Sequence, residues 1–146
     1  MKARFLLDVN VLVAMSWPTH PAYERAQEWF SNHARAGWAT CPMTQTAFVR
    51  IVSNPAFSVD ALSPTQAVAA LQANLSHRAH SFWPDDLQFH ETIEPLTTRL
   101  SGHKQVTDAY LLGLAIHKKA KLATLDQSIL ALLPEKHGQR EFIELI

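Results

Sequence analysis

The chain is 146 residues long, 47% hydrophobic and 18% charged, and its 13 basic and 13 acidic residues leave a formal net charge of zero. This size and balance suit one domain, residues 1–146, with a sizeable core, and they exclude a disordered polymer. They also exclude a grip on nucleic acid by bulk attraction, though not by a local site, and no apolar run approaches the ~20 residues of a membrane span.

Met1–Arg4 runs into the first apolar segment without a signal-peptide layout, and Cys41 is the only cysteine. A reducing compartment, the cytoplasm, is therefore expected. The eight histidines form no His-Glu-x-x-His pattern, and one cysteine cannot build a structural zinc site, so zinc is not expected.

Phe5-Leu6-Leu7 reads as a short buried strand, and Val9–Met15 as a helix that follows it. Asp8 stands at their junction, with Asn10 two residues on. A carboxylate among apolar residues costs several kcal/mol, on an order-of-magnitude scale, unless a helix N-terminus, a basic partner or a metal compensates it. Strand-to-helix junctions are also where open α/β sheets bind ligands.

After the loop Trp17–Pro21, a helix is expected with Pro21 in its first turn, Ala22, Ala26, Trp29, Phe30 and His33 at helical spacing, and Gly37 as its stop. Trp38–Cys41 is the next strand. Pro42 then opens a helix whose apolar stripe is Met43, Ala47, Phe48, Ile51 and Val52, with Gln45 at the stripe's edge and Asn54-Pro55 ending it. Ser63-Pro64 starts a helix to about His77 with Ala67, Val68, Leu71 and Leu75 inward. His80–Trp83 is a strand, Leu87–Leu100 a helix, and Ser101–Lys104 a loop.

Val106–Ala120 is the most apolar helix and is expected to lie buried on the sheet. Lys121–Leu125 is a strand, Asp126 caps a short helix through Leu133, and Phe142–Leu145 is the last strand. Strands alternating with helices imply a mainly parallel sheet with right-handed crossovers.

Three carboxylates recur at one kind of place. Asp8 follows the first strand, Asp126 a later strand, and Asp108 lies in the first turn of the most apolar helix. Each is accounted for singly as a helix cap. Together, at the shared carboxyl edge of a parallel sheet, they would repel one another unless a cation neutralised them. Oxygen-only donors select a hard cation, Mg²⁺ or Mn²⁺. Such a centre attracts phosphate and suits in-line phosphodiester hydrolysis.

Leu7-Asp8-Val9-Asn10-Val11-Leu12, Cys41-Pro42-Met43-Thr44-Gln45 with Phe48-Val49-Arg50, Thr107-Asp108-Ala109-Tyr110-Leu111-Leu112 and Thr124-Leu125-Asp126 together resemble the PIN-domain family, and more narrowly the VapC toxins of bacterial toxin–antitoxin pairs. The resemblance spans nearly the whole chain in order and spacing. It implies a PIN-like αβα sandwich, a Mg²⁺-dependent endoribonuclease acting on an RNA substrate, a homodimer, and neutralisation by a cognate VapB antitoxin. It further implies Asp8, Asp108 and Asp126 as the catalytic, metal-binding acids, with Asn10 and Thr107 in support. Where the family commonly has a Glu, this chain has Gln45, an amide that can coordinate through its carbonyl or hold a water but brings no charge.

Weaker candidates are His103 and Lys104 as phosphate contacts, Arg50 as a hydrogen-bonding support, and Trp17, Trp38 and Trp83 as base-stacking rings, at least two of which suit the core better. Two other readings stay open. A receiver-like phosphoacceptor also uses an acidic Mg²⁺ pocket, but it wants paired acids after the first strand, where Asp8 stands alone. A catalytically weak PIN-like binding protein would keep the antitoxin surface while Gln45 lowers activity.

Overall fold

The computed structural model describes residues 2–146. Five strands, β1 (Phe5–Leu7), β2 (Trp38–Thr40), β3 (His80–Phe82), β4 (Lys121–Thr124) and β5 (Ile143–Leu145), form one sheet in the order β3-β2-β1-β4-β5. Every pairing is parallel, which sharpens the expected mainly parallel sheet. Parallel strands are covered on both faces, and so read as continuous apolar runs. In β1 all three residues are buried, and alternate side chains supply opposite layers: Leu6 joins one core cluster, Phe5 and Leu7 the other.

One layer holds α1 (Val9–Ser16), α2 (Tyr23–His33), α3 (Pro42–Val52) and α4 (Pro64–Leu75). The other holds α5 (Phe89–Ile93) and α6 (Val106–His117), with α7 (Lys136–Phe142) beside them. The result is an αβα sandwich. In α6, seven successive residues, Ala109–Ala115, are buried, as expected for a helix packed on β1 and β4 and against α5. Among the described residues no helix is long and apolar enough to cross a membrane.

The crossovers run from β1 outward through β2 to β3, then return across the sheet to β4 and β5. The switch in direction therefore falls between β1 and β4. Crevices of this kind open at the carboxyl ends of the strands, where the sequence places Asp8 and Asp126.

Several elements differ from their sequence-based limits. The helix expected over Leu87–Leu100 is only α5, followed by a 3₁₀ stretch over Glu94–Arg99, because Pro95 has no N–H to continue an α-helix. Pro21 precedes α2 rather than opening it, and a 3₁₀ turn over Ala34–Ala36 intervenes before Gly37. α4 ends at Leu75 and α6 at His117, short of His77 and Ala120. Val68, expected inward, is 45% exposed, and Met43 leaves the α3 stripe at 38% exposure. Thr44 is buried in its stead, its hydroxyl accepting from the Cys41 N–H in a capping arrangement. The segment after Asp126 is 3₁₀ over Gln127–Leu132, and Phe142 closes α7 instead of starting β5. Of the tryptophans weighed for stacking, Trp38 and Trp83 are buried in the core.

Gly37 sits where the amino ends of β1 and β2 meet, at φ +88°, with its carbonyl accepting from the Arg4 and Phe5 N–H groups. A Cβ there would also come within 2.9 Å of the Ala3 Cα. Only glycine meets both demands.

Candidate active site

Asp8 is buried, 5% exposed, at the end of β1. Its N–H donates to the Ala123 carbonyl of β4 at 2.9 Å, so the central strand pairing itself fixes its backbone. The Val9 N–H donates to Asp8 Oδ1 at 2.7 Å, the capping bond expected at the start of α1. The Thr124 hydroxyl donates to Asp8 Oδ2 at 2.8 Å from the end of β4.

Thr124 is fully buried and joins the two halves of the site. Its Oγ1 accepts from Asn10 Nδ2 at 3.2 Å and from the Asp126 N–H at 3.1 Å while donating to Asp8. Asn10 Oδ1 in turn accepts from the Leu125 N–H at 3.2 Å. Asn10 therefore holds the β4 end rather than the acids directly. Asp126 continues past β4, and its Oδ1 accepts from the Ser128 N–H at 2.9 Å. Sequence reading did not single out Thr124. Its signal was a hydroxyl at the end of an apolar strand, which must find a partner once buried.

Asp108 enters from the other layer, in the first turn of α6. Burial, then the charges of Asp8 and Asp126, raise its carboxyl to about 6. Asp8 is raised as well: burial dominates, the Thr124 and Val9 hydrogen bonds oppose it, and Asp126 adds to it. Asp126 thus bears on both of the other acids, and Asp8 on Asp108, as expected for neighbouring carboxylates. No Lys, Arg or His lies within 4.0 Å of any of them among the described residues.

Among the described residues no three His, Cys, Asp or Glu side chains are placed so that together they could hold a metal ion. An ion at this edge would therefore take one or two of these carboxylates and complete its shell with water. Oxygen-only donors with uncompensated charge fit a hard divalent cation.

The remaining sequence candidates divide. Thr107 is exposed beside Asp108 in the first turn of α6. Gln45 Nε2 donates to Thr40 Oγ1 at 2.9 Å, at the carboxyl end of β2, and not to any of the three acids. His80 Nε2 lies 2.8 Å from the same hydroxyl, and burial holds that imidazole below the usual histidine range. Arg50, His103 and Lys104 are exposed. Around this edge Met43, Phe82, Phe89 and Val106, at helix starts or a strand end, are 38–51% exposed.

Comparison with known proteins agrees with this arrangement. The PIN domain family model matches residues 5–132. The chain is 40% identical over 124 residues to Ribonuclease VapC39 of Mycobacterium tuberculosis, covering 85% of this chain and 89% of that protein. It is 39% identical over 131 residues to Ribonuclease VapC38 of the same species, covering 90% and 91%. In fold it is similar to a crystal structure of VapBC2 from Rickettsia felis bound to a promoter DNA fragment, with a TM-score of 0.61, 16% identity, and coverage of 97% of this chain and 98% of that one.

Proposed function

Because the chain belongs to the PIN domain family, we propose that the crevice between β1 and β4 is its active site, with Asp8, Asp108 and Asp126 as catalytic acids. The protein is an endoribonuclease of the VapC toxin type, a phosphodiester hydrolase. The observation that supports the assignment of the site is the placement of Asp8 and Asp126 at the carboxyl ends of the paired strands β1 and β4, joined through the Thr124 hydroxyl, with Asp108 in the first turn of the helix packed on both strands.

Asp8, Asp108 and Asp126 would hold a divalent metal, Mg²⁺ by preference and Mn²⁺ as its closest substitute. Such an ion supplies positive charge against the phosphate and favours ionisation of an attacking water. Asp8 is kept in one orientation by the Val9 N–H and the Thr124 hydroxyl, so its remaining lone pairs are preorganised. Asn10 keeps Thr124 and the Leu125 backbone in register, and so positions Asp126. Burial and the neighbouring acids raise the Asp108 carboxyl to about 6, and a bound cation would lower it again. Thr107 is placed to reach substrate from the same turn as Asp108, and Gln45 supports the neighbouring strand end through Thr40.

The unit is one nuclease domain over residues 1–146, working in the cytoplasm on an RNA substrate. It assembles as a homodimer and is restrained by a cognate VapB antitoxin. The exposed apolar side chains around the acidic edge, Phe82 and Phe89 among them, support a covering partner there. The test is cleavage of total RNA with Mg²⁺, with chelator, and by Asp8→Asn. Cleavage is expected only in the first case. Cleavage by Asp8→Asn at the unmodified rate would overturn the assignment.

A further inference from the structure

The edge of the sheet opposite the acids has the opposite character. At the amino ends of β2 and β3, the last turn of α2 and the 77–79 turn enclose a cleft of 670 Å³ lined by Phe30, Arg35, His77 and Arg78. A second cleft of 400 Å³ adjoins it at the amino ends of β1 and β4, where Arg4, His33, Lys121 and Glu144 stand with the same Arg35. Asp8, Asp108 and Asp126 stand toward one end of the strands and Arg4, Arg35 and Arg78 toward the other, with Glu144 as an acid among the latter.

Arg4, Arg35 and Arg78 are exposed and make no ion pair among the described residues. Lys121 and His33 both face Glu144, at 3.6 and 3.7 Å, so the free cations of the two clefts are the arginines. Helix C-termini gather at this edge and favour cations, but a dipole does not require a concavity. His77 Nδ1 accepts from the Ala79 N–H at 3.1 Å and from Trp38 Nε1 at 3.4 Å. The neutral ring must then carry its hydrogen on Nε2, as a donor. Phe30 stands edge-on to both His77 and Trp38, which fixes an apolar wall beside the cations.

Fixed donors, unpaired guanidiniums and an aromatic wall are the elements that bind single-stranded nucleic acid. A single phosphate would leave most of a 670 Å³ cleft unfilled. Two clefts in series, sharing Arg35, suit a ligand whose charge repeats along a chain. We propose that this edge is a second RNA-binding surface, which grips the substrate's phosphodiester backbone away from the scissile bond. Its choice of RNA over other polyanions rests on the ribonuclease reading. Strands of three or four residues set the two edges about 10 Å apart along the strand direction, close enough for one polynucleotide to touch both.

The test is fluorescence anisotropy of a labelled single-stranded RNA, titrated at several salt concentrations in chelator, so that binding is read without cleavage. Arg35→Ala/Arg78→Ala is expected to weaken binding about tenfold or more at low salt. The salt slope should fall by ~1.4, two phosphate contacts at ~0.7 each. Arg25→Ala, an exposed arginine of α2 outside both clefts, is expected to bind as the unmodified protein does. Equal affinity and slope in the double variant would overturn the proposal. So would a mononucleotide that binds as tightly as the strand. Arginine-dependent RNA binding in a protein that cleaves nothing in Mg²⁺ would keep this surface and remove the nuclease reading.

Discussion

Asp108, one of the three proposed catalytic acids, is half-buried and feels the charges of the other two. A carboxyl raised to about 6 binds more protons in the folded chain than in the unfolded one, where it titrates near 3.9. Its contribution is therefore fully present below about pH 3.9 and is lost as pH rises through about 6. Asp8 is shifted the same way. Metal-free protein should accordingly melt higher at pH 5 than at pH 7.5, with Asp108→Asn flattening the dependence and gaining about 1 kcal/mol at neutral pH after solvent screening. Thermal melts in chelator check this, and a wild-type pH dependence in the variant would contradict it. Saturating Mg²⁺, at about 100 times its Kd, should stabilise the unmodified protein by about 2.7 kcal/mol and the variant much less. Gln45→Glu tests the neighbouring position: the new carboxylate is expected to tighten Mg²⁺ a few-fold in calorimetry and to lower the melting point of the metal-free protein. Unchanged affinity would place residue 45 outside the metal's reach. At this scale the acids were legible in the sequence because each follows a recognisable strand or opens a recognisable helix. Thr124 was not, since its role depends on β4 lying beside β1, and nothing local to residue 124 encodes that neighbour.

At the scale of elements, close approach matters more than propensity. α5 and α6 pack so tightly at Gly113 that a Cβ there would lie 2.2 Å from the Thr92 carbonyl oxygen. The atom in the way is backbone and cannot rotate aside. Gly113→Ala should destabilise by about 3 kcal/mol, at the upper end for overpacking, read as a lower denaturant midpoint with an unchanged m-value. The C-terminal end of α6 offers the reverse. Lys119 has φ +55°, a left-handed conformation that costs a side-chain-bearing residue roughly 1–2 kcal/mol. Lys119→Gly should recover about 0.5–1 kcal/mol once glycine's greater unfolded-state freedom is subtracted, measurable in the same titration. Elements with apolar runs or stripes, such as β1 and α6, were readable to within a few residues. α7 was not, because none of its residues is buried, so it carries no stripe to read. α5 was read too long because its acids and apolar residues keep a helical rhythm across Pro95, whose missing N–H ends the α-helix.

The whole molecule is an αβα sandwich whose parallel sheet has Asp8 and Asp126 at the carboxyl ends of its strands and Arg4, Arg35 and Arg78 near the amino ends. Apolar side chains stand exposed around the acidic edge, with Phe82 at 51% and Phe89 at 44%. Such surfaces in a folded protein usually mark an interface. Light scattering on the isolated protein at roughly tens of micromolar, a range in which interface-driven pairing is populated, is expected to give the mass of a dimer. A clean monomer there would count against it. The sheet order 3-2-1-4-5 was the least legible feature at this scale. Alternation of strands and helices implied parallel pairing, yet the return of the chain to the far side of β1 rests on long-range packing that no local pattern announces.

That return has a consequence for how the protein is made. Asp8 and the Thr124 hydroxyl that orients it are separated by 116 residues. Translation at about 5–20 residues per second leaves Asp8 waiting roughly 6–23 s for its partner. For most of that interval, once Trp38–Thr40 has been made, β1 has β2 to pair with but not β4. If Asp8 and Asp126 are both site acids, a chain that ends before β4 has an incomplete site. Stalled nascent chains ending before Lys121 should therefore cleave no RNA in Mg²⁺, whereas released full-length chains should. Cleavage by the stalled chains would show that the β1 half of the crevice suffices on its own.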